Sequence, residues 1–296
     1  TAVGAFAGDG ITQGSNNTAI GDSALSNALT NDDNTAVGRL ALYNFTGSNA
    51  TAVGSGAADA AISSSSLTAV GKDALGATID GHYNTAVGRT ALAADCADHN
   101  TGLGYNALAA FTGSNATAIG SGAADAATTA LYLTAVGRNA LGACTDSAGC
   151  TAVGQDALSS LVSGADHNTG IGRSAGEMIT GDRNTLVGYL AGIYASTTDD
   201  CIAIGHSALS GTGGAAVTGN FNIAIGNYAL DATTDGNANV AIGHNVLTAG
   251  TGVTGSVAIG YQAGMDVTGA DNVLIGRDAG FDATGIDNCI AIGRAA

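Results

Sequence analysis

The sequence predicts an all-β protein, a parallel β-solenoid or β-roll of about 17 coils of 16–17 residues each. Three observations predict it. One phrase recurs from end to end, a Thr-Ala-Val-Gly step followed by Ala-Leu, as in Thr18-Ala19-Ile20-Gly21 with Ala24-Leu25. It starts eighteen times, at 1, 18, 35, 51, 68, 85, 101, 117, 134, 151, 169, 185, 202, 223, 240, 257, 273 and 290, a spacing of 16 or 17 except for one 18 and one 21. So short a period, held throughout, means stacked coils and not a string of domains. Finally, Gly supplies 47 of 296 residues and Pro none. A helix would lose about 1 kcal/mol at each Gly, whereas stacked strands need every backbone N–H.

Each repeat can be numbered from its start. Slot three is Val, Ile or Leu and slot four is Gly in all eighteen repeats. Slot two is Ala except at Gly102, Gly170, Leu186 and Leu274, and slot seven is Ala except at Val246. Slot eight is Leu in ten of seventeen repeats, otherwise Gly or Ala, and the last slot is Asn in nine of seventeen. Slots one to three fit a short strand, with slots one and three on one face and slot two on the other. The Gly at slot four suits a bend with positive φ or close backbone approach. A second short strand is expected over slots five to eight. The remainder, as in Thr46-Gly47-Ser48-Asn49, reads as a turn whose Asn can satisfy backbone groups and stack into a ladder.

This pattern places the large residue of slot three inside, with slot eight and sometimes slot eleven (Ile11, Phe45, Phe111). So thin a core is set against a backbone entropy of roughly 1–2 kcal/mol per residue. The small apolar slot two then faces outward, and its Ala column is expected to lie against another backbone. Several chains packed side by side satisfy both conditions.

The net charge of −16 argues against a nucleic-acid partner, whose phosphates need a basic face. Of 24 acidic residues only Glu177 is Glu, and most Asp read as solvated turn residues. A divalent cation remains compatible with this acidity, but no calcium-loop or Gly-Gly-x-Gly-x-Asp pattern occurs, and no cofactor is expected. No apolar run is long enough for a membrane span and no signal peptide is visible. The chain begins and ends in mid-pattern and reads as a piece of a longer protein.

Residues 1–201 start their repeats with Thr, and residues 202–296 with Ile or Val, around an insertion near 211–217. We read two sections of one continuous shaft. Residues 34–77 and 100–143 are near copies, offset by 66 residues, or four coils. Seven of the eight basic residues fall at slot five: Arg39, Lys72, Arg89, Arg138, Arg173, Arg277 and Arg294. Tyr105, Tyr189, Tyr261, His206 and His244 use the same slot. The column reads either as a solvated stripe or as an interchain contact with the Asp-rich turns of a neighbouring copy. Five cysteines make no disulfide framework, though Cys144 and Cys150 flank one loop and can pair in an oxidising compartment.

No catalytic constellation emerges, and no enzyme is expected. The histidines follow the repeat spacing, which argues against a metal site. Gly170-Ile171-Gly172 with Gly176 is explained by slots two, four and eight, not by a dinucleotide fingerprint. Readings of another class are an ice-binding solenoid, suggested by the Thr column at slot one, and a carbohydrate-processing spike.

The Asn-Thr-Ala-Val-Gly-x-x-Ala-Leu phrase resembles repeats of phage tail fibres, and Asn239-Val240-Ala241-Ile242-Gly243 is similar to the repeat of YadA-like heads in trimeric autotransporter adhesins. The resemblance covers essentially the whole chain. It implies a left-handed roll, three identical chains to a bundle, and attachment to host surfaces. The coils here are longer than the usual adhesin-head coil, and no binding residues carry over. The expected role is therefore the shaft of a homotrimeric fibre, foremost a phage tail fibre and alternatively a bacterial surface adhesin or extracellular filament. Its place would be the virion or the cell surface. Its partners would be itself and, through a tip outside this segment, a host surface.

Overall fold

A computed structural model of the chain describes residues 1–27 and 30–296. The described residues form eighteen short strands, β1 (Ala2–Val3), β2 (Thr18–Ile20) and so on to β18 (Ile290–Ile292), each starting at or one residue after a repeat start. The only helical element among them is a 3-10 turn, Thr212–Gly214, in the insertion. Two compact units divide the chain, Thr1–Asp146 with β1 to β9 and Ser147–Ala296 with β10 to β18. Each is a parallel β-solenoid in which successive coils pair slot on slot, Thr68 on Thr85 and Val70 on Val87 for example. The change of composition at 202 falls inside the second unit, where Thr185 pairs with Ile202 in the same register as every other coil. It is a change of side chains, not of backbone.

The strands alternate as expected, but the faces are reversed. The slot-two residue is buried in every strand from β2 to β17, whereas slots one and three face outward and are half-buried or exposed. The Ala column is therefore the chain's own core and needs no sister copy to cover it. The coil is narrow, and its interior is filled from both walls: Ala at slots two and seven, Leu at slot eight, and Phe45, Phe111, Leu161 and Ile179 at slot eleven. Where slot two is large, the opposite wall gives way. Leu186 and Leu274 each meet a slot-eight Gly of their own coil and of the coil before, Gly192 and Gly176 for Leu186, Gly280 and Gly264 for Leu274: an added Cβ would come within 2.5 Å of Leu186 at Gly176 and 2.6 Å of Leu274 at Gly264. Conversely, the small Gly170 makes room for Leu158, 2.7 Å from where its Cβ would stand.

The second strand expected over slots five to eight does not form; those residues are turns. Slots six and eight adopt left-handed φ, for example Asn106 at 56° and Leu108 at 55°. An L-residue there costs roughly 1–2 kcal/mol. The alternating backbone turns successive peptide groups toward opposite neighbours. Asn106 N–H donates to Arg89 C=O of the coil before (3.1 Å), and Leu108 N–H to Ala123 C=O of the coil after (3.0 Å). Backbone groups that a strand would have paired are thus satisfied in a tighter curve. The slot-four Gly requires its φ near +135° and the absence of a side chain: at Gly71 a Cβ would stand 2.5 Å from Gly88 O.

The expected Asn ladder is present. In the last slot, buried Asn184 accepts Cys201 N–H through Oδ1 (2.9 Å) and donates Nδ2 to Thr198 C=O (2.6 Å), both in the following coil. Asn34, Asn100, Asn239 and Asn272 make the same two contacts forward. A second ladder runs the other way, three residues before each repeat start. Asp182 accepts Asp166 N–H (2.9 Å), Asp199 accepts Asp182 N–H (2.7 Å) and Asn220 accepts Asp199 N–H (2.8 Å), each from the preceding coil. Many Asp are therefore structural acceptors, and the near absence of Glu follows from the short reach required.

Candidate interaction surface

The outward face of the strands is the most regular surface of each unit. In the first unit slot one is Thr in all nine repeats, and slot three runs Val3, Ile20, Val37, Val53, Val70, Val87, Leu103, Ile119, Val136. In the second unit slot one changes from Thr to Ile or Val at Ile202, and slot three ends in six consecutive Ile from Ile204 to Ile292. Leu103 keeps 42 % of its surface exposed, Ile171 40 % and Ile204 38 %. The spacing is about 4.8 Å from coil to coil and about 6.7 Å between slots one and three of a strand. The ladders behind it tie neighbouring coils together wherever Asn or Asp fills its slot.

Beyond the slot-four bend stands the slot-five column. All seven cations named from the sequence are exposed: Arg39, Lys72, Arg89, Arg138, Arg173, Arg277 and Arg294. Lys72 pairs with Asp73, and Arg277 Nε donates to Asp278 (3.1 Å). Arg89 lies over the ring of Tyr105, 5.9 Å from its centroid. The eighth basic residue, Arg183, makes a two-pronged pair, Nε and Nη2 to Asp200 at 2.7 and 2.8 Å. That contact holds the Asp200 carboxyl below the usual carboxylate range.

In the second unit the slot-five column becomes aromatic. Arg173 lies 4.4 Å over Tyr189, Tyr189 stacks on His206 (5.3 Å), and His206 meets Tyr228 edge-on (4.8 Å). Tyr228 meets His244 (6.1 Å), His244 stacks on Tyr261 (5.5 Å), and Arg277 closes the far end, 5.3 Å over Tyr261. The slot spacing marked most members of this ladder. It missed Tyr228, which comes from slot six.

No protein-family model matches the chain, and no curated protein sequence is significantly similar to it. The surface itself therefore carries the functional argument. No group of three or more His, Cys, Asp or Glu that could hold a metal ion is present among the described residues. A shallow hollow of about 300 Å³ is lined by Asp80, Asp95, Asp98 and Cys96. Its carboxylates serve the coil: Asp95 accepts Ile79 N–H (2.9 Å) and Asp98 accepts His82 N–H (2.7 Å). All five cysteines stand as thiols, Cys144 and Cys150 included, so the bridge that their spacing allows is not formed here. Both are buried, Cys144 in the first unit and Cys150 in the second. Burial pushes the Cys201 thiol up to about 11, which makes it a packing residue and not a nucleophile. No helix among the described residues is long and apolar enough to cross a membrane.

Proposed function

We propose that this chain is a shaft segment of a fibre made of parallel copies of itself, three in number as in the proteins it resembles, which holds a host-binding tip away from a virion or cell. A phage tail fibre is the favoured setting, and a bacterial adhesin or extracellular filament the alternative. The observation that supports this is the outward column of Val, Ile and Leu at slot three. Monomeric proteins rarely leave so continuous an apolar strip in water. A second copy has the same coil-to-coil spacing, so branched side chains can interlock along the whole column. The role is mechanical, and the reading assigns no catalysis, metal or cofactor.

Light scattering on the purified chain tests it. The expected mass is three times the 28.3 kDa of one chain. Ile171→Asp with Ile204→Asp, both outward, should reduce it to one chain without changing the far-ultraviolet circular dichroism. A single-chain mass for the unaltered protein would overturn the fibre.

One observation favours a second reading. In the first unit Thr and a branched apolar residue alternate outward on each strand from β2 to β9, a regular hydroxyl and methyl array of the kind that can order lattice water. A single-chain mass accompanied by thermal hysteresis would support an ice-binding solenoid; an oligomer without hysteresis would dismiss it.

A further inference from the structure

The ladder from Arg173 to Arg277 is not required by the coil. Elsewhere slot five accepts Asp22, Ser55, Ser121 and Gln155 with no change of backbone. The ladder is also continuous where the repeat would break it. In the coil of Ile223–Ile225, slot five is Asn227, whose Oδ1 turns back to accept His206 N–H (3.1 Å), and Tyr228 takes its place between the two imidazoles. Continuity carried by a different slot is not a by-product of repetition.

The chemistry of the ladder is distinct from its surroundings. In a chain of net charge −16, it has a guanidinium at each end and two imidazoles between. The neighbouring slot-six residues Ser174, Leu190, Ser207, Asn245 and Gln262 are uncharged, and so are the slot-three residues beside it. The sole exception is Asp278, at the terminal guanidinium. Two ring pairs are stacked and Tyr228 stands edge-on to both imidazoles; Tyr189, Tyr228 and Tyr261 remain exposed, so the strip offers phenol O–H and imidazole N–H groups, one per coil. A partner must therefore be linear, must accept hydrogen bonds at roughly coil spacing, and is favoured by negative charge. A second copy of the chain supplies this poorly: in the coils of His206 to His244 the turn positions three before each repeat start are Asn220, Asn237 and Thr254, and the only carboxylates, Asp231 and Asp235, fall in one coil.

We propose that the Arg173–Tyr189–His206–Tyr228–His244–Tyr261–Arg277 ladder is a binding strip for a linear anionic polysaccharide lying along the coil axis, with carboxylate or sulfate groups bridged by the guanidinia and the ring edges. An extended pyranose is about as long as one coil is deep, so successive sugars meet successive coils. Charge-assisted hydrogen bonds to the two guanidinia supply most of the affinity. The phenol and imidazole donors set the register. The strip lies past the slot-four bend, off the strand face, and does not depend on whether that face is covered.

Isothermal titration of the intact chain tests it at low ionic strength, with polygalacturonate as the carboxylated polymer and dextran sulfate as the sulfated one. Linear cello-oligosaccharides and oligo-dT serve as neutral and phosphate controls. Binding of one or both anionic glycans is expected, weakened at least tenfold by Arg173→Gln with Arg277→Gln and weakened also by Tyr228→Ala. Arg89→Gln, in the other unit, should leave it unchanged. The relative response to the two polymers separates carboxylate from sulfate recognition. The proposal is overturned by absence of binding to both, by binding that survives the double variant, or by equal binding of the neutral oligosaccharide or of oligo-dT.

Discussion

Asp231 shows what partial burial does to a carboxyl of the coil. It occupies slot nine, as Asp59 and Asp125 do, and in all three partial burial raises the carboxyl above its usual range. For Asp231 the value reaches about 6. A carboxyl that holds its proton more tightly folded than unfolded opposes folding once ionised. That penalty grows as pH rises from about 4, the unfolded value, to about 6, and is fully present at neutral pH. Asp231→Asn should therefore stabilise the protein at pH 7 by about 1 kcal/mol, after allowance for solvent screening, and by nothing below pH 4. Thermal melts of both proteins across that range check the direction. The last-slot Asn is the opposite case. Asn184→Ala would leave a buried N–H and a buried C=O without their side-chain partner, at roughly 1–3 kcal/mol each.

At the scale of the coil, the two walls are coupled by volume. Leu186→Ala should cost about 2–5 kcal/mol through the cavity it leaves. Gly192→Ala should also destabilise, because its Cβ would meet Leu186 at 2.7 Å. The double variant should recover part of the loss, and a thermodynamic cycle over the four proteins measures that coupling. This compensation was legible in the sequence. Leu at slot two occurs only at Leu186 and Leu274, and in both cases slot eight is Gly in the same repeat and in the one before. That pairing makes sense only if slots two and eight share one interior. The strand pattern alone could not show it, since alternation distinguishes two faces without saying which is inside, and hydrophobicity favours the larger residue of slot three. Strand positions, glycine bends and the Asn ladder were legible because each depends on one residue type. The turns at slots five to eight were not, because left-handed Leu contradicts local preference and is held there by stacking. The aromatic ladder was only half visible, since Tyr228 departs from the period that revealed its neighbours.

Within a solenoid, stability is a sum of coils and of the joints between them. Removing residues 68–84, one whole coil of the first unit, should leave circular dichroism per residue unchanged and lower the melting temperature only slightly. Removing 68–75 alone should lower the melting temperature further than removal of the whole coil, because it takes out one strand and leaves residues 76–84 as a partial coil before Thr85. The near duplication of 34–77 at 100–143, in whole coils, obeys the same rule. The joints themselves have a direction. A finished coil holds out an amide oxygen toward a backbone that has not yet been laid down, and the coil that arrives brings a carboxylate to grip the one beneath it. Where both ladders run, as through the coils that end at Asn168, Asn184 and Cys201, synthesis from the amino terminus meets a socket, and the seam is latched from both sides before the next coil begins.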